Sequence, residues 1–181
     1  MTAGRSSATI RSAVAADVPS LPRVETSSGT RSRTIGLHSI ADDLPPDQGR
    51  LLEHVDAGTA WVAEIADVIV GYAIASVVDG AGHLDQVSVV PEAERRGIGS
   101  ALIDIVVDWS RRSGHEHITL TTFVDVPWNG PFYESLGFRY LEEASFGPEL
   151  REIRAYERAC GLDVVARAAM WRHIDGGRGA D

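Results

Sequence analysis

From Val87 to Ile103 the chain reads VSVVPEAERRGIGSALI, and this run leaves few architectures open. A β-rich stretch stops at Pro91, which has no N–H with which to extend a central ladder. After a short polar loop the period changes. Ile98, Ala101, Leu102, Ile105, Val106 and Trp109 recur at helical spacing, which predicts an amphipathic helix with these residues as its buried stripe. Arg111 and Arg112 suit the negative end of its dipole, and Gly114 closes it. A strand passing through a glycine loop into a helix implies a mixed α/β chain. The first amides of that helix have no intrahelical partner and lie at the positive end of its dipole. Gly97 and Gly99 have no Cβ to hold an anion away, and Arg95 and Arg96 add full charges. Physically this is a pyrophosphate cradle. The alternative is a glycine-softened helix start with solvated arginines. A dinucleotide fingerprint would need glycine where Leu102 stands.

The remaining pattern is read from period and punctuation. Strands are expected at Thr9–Ala13, Ala60–Ile65, Val68–Val78, His83–Val90, Ile118–Phe123, Phe138–Leu141 and Ala166–Ile174, bounded by turn residues such as Asp79–Gly82. Asp17 is placed as the N-cap of a helix with Pro19 in its first turn, and Pro22 limits that helix. Ser27–Pro46 reads as loop with one short helical piece. Asp47–Ala57 reads as a helix with Leu51, Leu52 and Val55 on one face and Gly58 as its stop. A short helix is expected from Asn129 as N-cap to Leu136 with Gly137 beyond it, and another over Pro148–Cys160. Residues 1–8 and 175–181 read as disordered ends, leaving 9–174 as one domain.

Composition narrows the function classes. A net charge of −9 repels phosphate backbones and anionic lipid, so neither nucleic acid nor membrane is an expected partner. All 17 basic residues are arginine, which excludes Schiff-base chemistry on lysine and the lysine of a phosphate-binding loop. The single cysteine, Cys160, reads as a buried filler and makes no internal disulfide. With no bilayer-length apolar run and no signal-like N-terminus, a soluble cytoplasmic protein is expected. His115 and His117 flank Glu116 without metal-ligand spacing, so no metal is expected. There is no G-x-S-x-G elbow.

A second motif lies downstream, PWNGPFYESLGF over Pro127–Phe138. Together the two segments resemble the GNAT superfamily of N-acetyltransferases. Its [QR]-x-x-G-x-[GA] pattern falls here on Glu94–Gly99, and its N-x-x-x-Y-x-x-x-G-F-like segment on Asn129, Tyr133, Gly137 and Phe138. Glu94 departs from the family's Gln or Arg. The resemblance implies a central mixed sheet with an antiparallel N-terminal meander and flanking helices. It implies acetyl-CoA as co-substrate, held by Arg95, Arg96, Gly97, Ile98, Gly99, Ser100 and Ala101 at the pyrophosphate. The segment Val87, Ser88 and Val89 would carry the pantetheine arm, the backbone of Val87 and Val89 pairing with it as an added strand. Asn129 would bond the arm as well, and Tyr133 would protonate the leaving thiolate. Family members are often dimeric, and nothing in the sequence fixes whether this chain forms a homodimer.

An alkyl amine is protonated near neutral pH, so transfer to it needs a base or a water relay. His83 and Asp85 alternate onto one strand face, at positions where the resemblance implies a base. Against this, His83 reads equally as a turn residue and Asp85 as a solvated charge. Trp61, Trp128 and Phe146 offer apolar pocket surface, though each reads first as core. The expected activity is direct acetyl transfer to a primary amine, first of a small molecule. Transfer to a protein N-terminus or lysine, or a non-catalytic acyl-CoA sensor, stand as alternatives.

Overall fold

The computed structural model describes residues 8–33 and 47–174, so the expectations for the two chain ends and for residues 34–46 of the Ser27–Pro46 loop lie outside the described residues. Strands β1 (Thr9–Ser12), β2 (Ala60–Ile65), β3 (Val68–Val78), β4 (Ala81–Val89), β5 (His117–Phe123), β6 (Arg139–Leu141) and β7 (Arg167–His173) form one sheet in the order β1-β2-β3-β4-β5-β7-β6. The β1–β2 and β2–β3 pairs are antiparallel, as a meander requires. Helix α3 (Ile98–Arg112) makes the crossover to β5, which runs parallel to β4. The last strand, β7, enters antiparallel between β5 and β6. This is the mixed α/β sheet that the two motifs imply.

Several expectations are corrected. Asp17 is not an N-cap. It lies inside a 3-10 turn, Ala15–Ser20, and its carboxylate accepts the Val14 N–H at 2.8 Å and Arg11 Nη1 at 2.7 Å. Helix α1 (Leu21–Arg33) starts after that turn, so Pro22 falls in a first turn, where no N–H is needed, and Ser27–Arg33 is helical rather than loop. Helix α2 (Gln48–Asp56) is capped by Asp47, whose carboxylate accepts Gly49 N–H at 2.9 Å. Of its expected apolar face Leu51 is buried, while Leu52 is exposed.

The turn before β4 is shorter than expected. Asp79 and Gly80 both have positive φ (52° and 76°), which closes a two-residue hairpin by themselves. His83 is therefore inside a strand and not in a turn. In α3 the fully buried line is Ile98, Leu102, Ile103, Val106, Val107 and Ser110; Ala101, Ile105 and Trp109 are half-buried. Period alone missed Ser110, which fits because Gly82 faces it: a Cβ there would come within 2.8 Å of the serine Cβ. Cys160 follows the last helix and is exposed, not buried.

The described residues up to Ala75 with Gln86–Val106 gather into one compact unit, and Ser76–Asp85 with the described residues from Val107 onward form a second. In the first, Leu21, Val24, Leu51, Val62, Tyr72, Leu102 and Ile103 are almost wholly buried, and so is Trp61. Gly71 allows the close strand packing there, since a Cβ would lie 2.9 Å from the Ser88 carbonyl oxygen and 3.3 Å from Leu102. In the second unit Val78, Phe146, Leu150 and Ala169 form a cluster with Leu141 and Ile153 against it. Phe146 is thus core, and Trp128 is half-buried.

Candidate active site

The cradle lies in the first unit. After β4, Pro91–Ala93 makes a single 3-10 turn and the chain passes through Arg95 (φ 54°) and Gly97 (φ 78°) before α3 begins. A left-handed arginine is uncommon and marks a constrained loop. The first α-helical bond runs from Ala101 N–H to Gly97 O at 3.0 Å, which leaves the Ile98, Gly99 and Ser100 amides ahead of the helical ladder. Nothing lies within 4 Å of where a Gly97 Cβ would be. Arg95, Arg96 and Gly97 are exposed, whereas Ile98 is buried and pins the helix start. Open amides, a dipole end and two exposed guanidinium-bearing residues together fit a diphosphate.

Strand β4 leads into the cradle. Its parallel ladder to β5 pairs Gly82, His83 and Leu84 with Ile118, Thr119 and Leu120, and ends there. Val87 and Val89 are half-buried, and Ser88 is buried. The Ser88 hydroxyl is engaged on the opposite strand face in a cluster that carries no sequence signal. There the Glu25 carboxylate of α1 accepts Tyr72 O–H at 2.8 Å and Gln86 Nε2–H at 2.9 Å to Oε1, and it accepts the Ser88 hydroxyl as well. Gln86 also donates to Ser88 Oγ at 3.0 Å. Burial and the Glu25 charge push the Tyr72 phenol well above its ordinary range, so it remains a donor. These four residues come from three elements, and no motif or period in the sequence joins them.

The second unit holds the other sequence-selected residues. His83 is 3% exposed and its Nδ1 shares a 2.8 Å hydrogen bond with Thr119 Oγ1. Burial lowers its proton affinity, only partly countered by the carboxylates of Asp85, Glu157 and Asp79, so the ring is held toward its neutral form. Asp85, two residues on, is half-buried. Asn129 stands at the N-terminus of α4 (Gly130–Ser135) but does not cap it with its side chain; its Nδ2 donates to Thr122 Oγ1 at 3.1 Å. The following glycine is needed because a Cβ would overlap the Tyr140 hydroxyl and the Val124 carbonyl. Tyr133 is 8% exposed and packs edge-on to Phe138 with ring centroids 5.8 Å apart. Burial pushes its phenol up, with Arg167 opposing, so it is protonated across the neutral range.

Helix α5 (Pro148–Ala159) carries a further network that sequence patterns did not show. Buried Arg154 bonds Glu157 and reaches Asp163 at 3.1 Å, and Arg167 reaches Glu157 at 2.7 Å. Burial raises the Glu157 pKa, but Arg167 together with hydrogen bonds from Thr121 and Arg154 outweighs it and holds the carboxyl below its usual range. Among the described residues no group of His, Cys, Asp and Glu is placed to hold a metal ion, and no helix is long and apolar enough to cross a membrane.

Comparison with known proteins is consistent in direction. The model of the acetyltransferase (GNAT) family matches residues 31–138. Among solved structures, the yncA protein of Salmonella typhimurium with its cofactor acetyl-CoA is 20% identical with a TM-score of 0.65, covering 97% of this chain and 99% of that one. The ribosomal-protein-S18-alanine N-acetyltransferase of Escherichia coli is 18% identical with a TM-score of 0.63, covering 96% and 99%. N-acetylglutamate synthase of Neisseria gonorrhoeae, complexed with coenzyme A and N-acetyl-glutamate, is 20% identical with a TM-score of 0.67; 92% of this chain matches 35% of that longer one. At these identities the likeness is one of fold.

Proposed function

This chain belongs to the GNAT family of acetyltransferases, and on that premise we propose that it transfers the acetyl group of acetyl-CoA to a primary amine of a small molecule. The observation that carries this reading is the loop at the start of α3, where Arg95 and Gly97 turn the chain so that the Ile98, Gly99 and Ser100 amides precede the helical ladder. In this reading those amides, with Ala101 completing the turn and Arg95 and Arg96 beside it, hold the diphosphate of the donor. Glu94 is half-buried at the end of the preceding turn, Glu92 within that turn is exposed, and Arg95 and Arg96 are the exposed charges next to the helix start. The ladder of β4 to β5 ends at Leu84, which supports Val87 and Val89 as backbone partners for the pantetheine amides. Asn129 is a second contact to that arm.

The neutral amine attacks the thioester carbonyl, a C–N bond forms as the C–S bond breaks, and the thiolate takes a proton. Tyr133 supplies that proton: its phenol starts protonated, the state a general acid needs. The amine proton goes to His83 or Asp85, of which the buried ring is held in the neutral form that accepts one. Solved neighbours include enzymes named for a protein acceptor and for an amino acid, so the acceptor is the finer part of the proposal.

The test is Tyr133→Phe, assayed for transfer and for acetyl-CoA binding by thermal shift. Turnover is expected to drop by about 10²-fold or more with the thermal shift retained. Equal turnover in the variant removes Tyr133 as the acid. A thermal shift without transfer in the native protein, across amines, amino acids and peptides, favours the acyl-CoA sensor instead.

A further inference from the structure

A ring as deeply buried as His83 must still lose whatever proton it takes, since a base that stays charged serves a single turnover. The hydrogen bond at its Nδ1 shows a way out. The parallel register of β4 and β5 sets Thr119 beside His83, with Thr119 Oγ1 2.8 Å from Nδ1. The hydroxyl's other contact, to the Gly82 carbonyl, is 3.4 Å long and holds the hydroxyl proton weakly. A hydroxyl has one donor and two acceptor positions, so it can receive a proton from the ring while releasing its own. The carboxylates whose charge acts on the ring are Asp85 on β4, Glu157 on α5 and Asp79 in the β3–β4 turn. Glu157 is engaged by Arg154, Arg167 and Thr121, and Asp79 by the Glu149 and Leu150 N–H groups.

Thr119 also forms part of the wall of a cavity within the same unit. The cavity measures about 60 Å³, well above the roughly 10–15 Å³ that one water needs. Ala81, Thr119 and Leu150 form its buried part, while Asp79 and Ser145 are exposed, so it leads from the surface to the Thr119 hydroxyl. His117 lines it too, half-buried and two residues before Thr119, hence on the same strand face. Two hydroxyls, an imidazole and a carboxylate along one small cavity supply the polar partners that ordered water requires. The far side of the bond from His83 is therefore a place where a proton can meet water.

We propose that Thr119 relays protons between His83 and water in this cavity, as a positioning residue that returns the base to its accepting state. In transfer, the ring takes the amine proton at Nε2 and its Nδ1 proton passes to Thr119 Oγ1. The Thr119 hydroxyl proton passes to a cavity water. Ring and threonine end neutral, and one proton has moved from amine to water. The relay takes its place in the reaction from the acetyltransferase reading, but its test needs neither donor nor acceptor. In protein carrying isotope-labelled histidine, exchange of the His83 ring N–H with water is read by NMR saturation transfer, the resonance being identified by its loss in His83→Gln. Thr119→Val is expected to slow that exchange at least about tenfold, and Thr119→Ser to restore it. A bond that serves structure alone gives the opposite sign, because a ring N–H without its partner exchanges faster. Ser145→Leu narrows the exposed end of the cavity and leaves the bond between His83 and Thr119 in place. It is expected to slow exchange as well, and it decides the matter if Thr119→Val does not fold. Exchange that is unchanged or faster in either variant, or not restored by serine, would overturn the relay. Slowed exchange in a protein that transfers no acetyl group would remove the acetyltransferase reading alone. Acetyl transfer with unaltered exchange would remove the relay alone.

Discussion

His83 shows how a single side chain links packing to pH. Its ring is buried against Thr119, and that burial lowers its affinity for a proton. The unfolded chain takes this proton near the ordinary value of 6.5, and the folded one resists it. Below that pH the unfolded state binds more protons, so the stability contribution is complete above it and is lost as pH falls. Urea unfolding over roughly pH 7 to 5 should show a decline of up to about 1.4 kcal/mol per pH unit from this group. His83→Gln should flatten that decline, and an unchanged slope would assign it elsewhere. Gly82, one residue earlier, is set by volume. An added methyl would overlap the Ser110 hydroxyl, so Gly82→Ala should cost about 1–3 kcal/mol in chemical denaturation. Ser110→Ala in the same chain should recover part of the loss.

At the scale of elements, α5 is held by polar groups rather than by apolar burial alone. Asp79, in the β3–β4 turn, accepts the Glu149 and Leu150 N–H groups at 3.0 Å each, closing the helix start, and Gly147 leaves room for its carboxylate. Further along, Arg154 joins Glu157 and Asp163. Arg154→Met removes the buried cation while Arg167 still serves Glu157. The expected cost is about 3 kcal/mol, the low end for breaking a buried pair, read as a fall in the denaturation midpoint. A loss near zero would mean that packing, not the ion pairs, holds α5. Strands β2 and β3 were legible to the residue because each is a near-continuous apolar run between turn residues, buried on both faces over most of its length, and α3 because its 3.6 period begins at Ile98. The C-terminal half of α1 was not: Ser27–Arg33 has no apolar period. The insertion of β7 between β5 and β6 was hidden for another reason. It depends on pairing such as Thr119 with Trp171, which no local pattern encodes.

For the whole molecule, the parts of the candidate site that depend on backbone geometry were readable and those assembled from distant side chains were not. Glycines and arginines around residues 95–101 pointed to the loop that the proposed function reads as a diphosphate cradle, because amides without Cβ atoms beside fixed charge suit an anion. Glu25, Tyr72, Gln86 and Ser88 are individually ordinary, and only the tertiary structure joins them. The net charge of −9 sets these local arginines against an acidic background. Because Arg95 and Arg96 are exposed, their contribution is screened over a Debye length of about 8 Å at physiological salt, and the KM for acetyl-CoA should rise with ionic strength. A KM independent of salt would shift the work of binding from the arginines to the amides. The most direct test of the central claim is mass spectrometry of a panel of primary amines incubated with the protein and acetyl-CoA. The account predicts release of CoA matched by one amine gaining a single acetyl group. Acetyl-CoA that is neither consumed nor able to raise the melting temperature would contradict it.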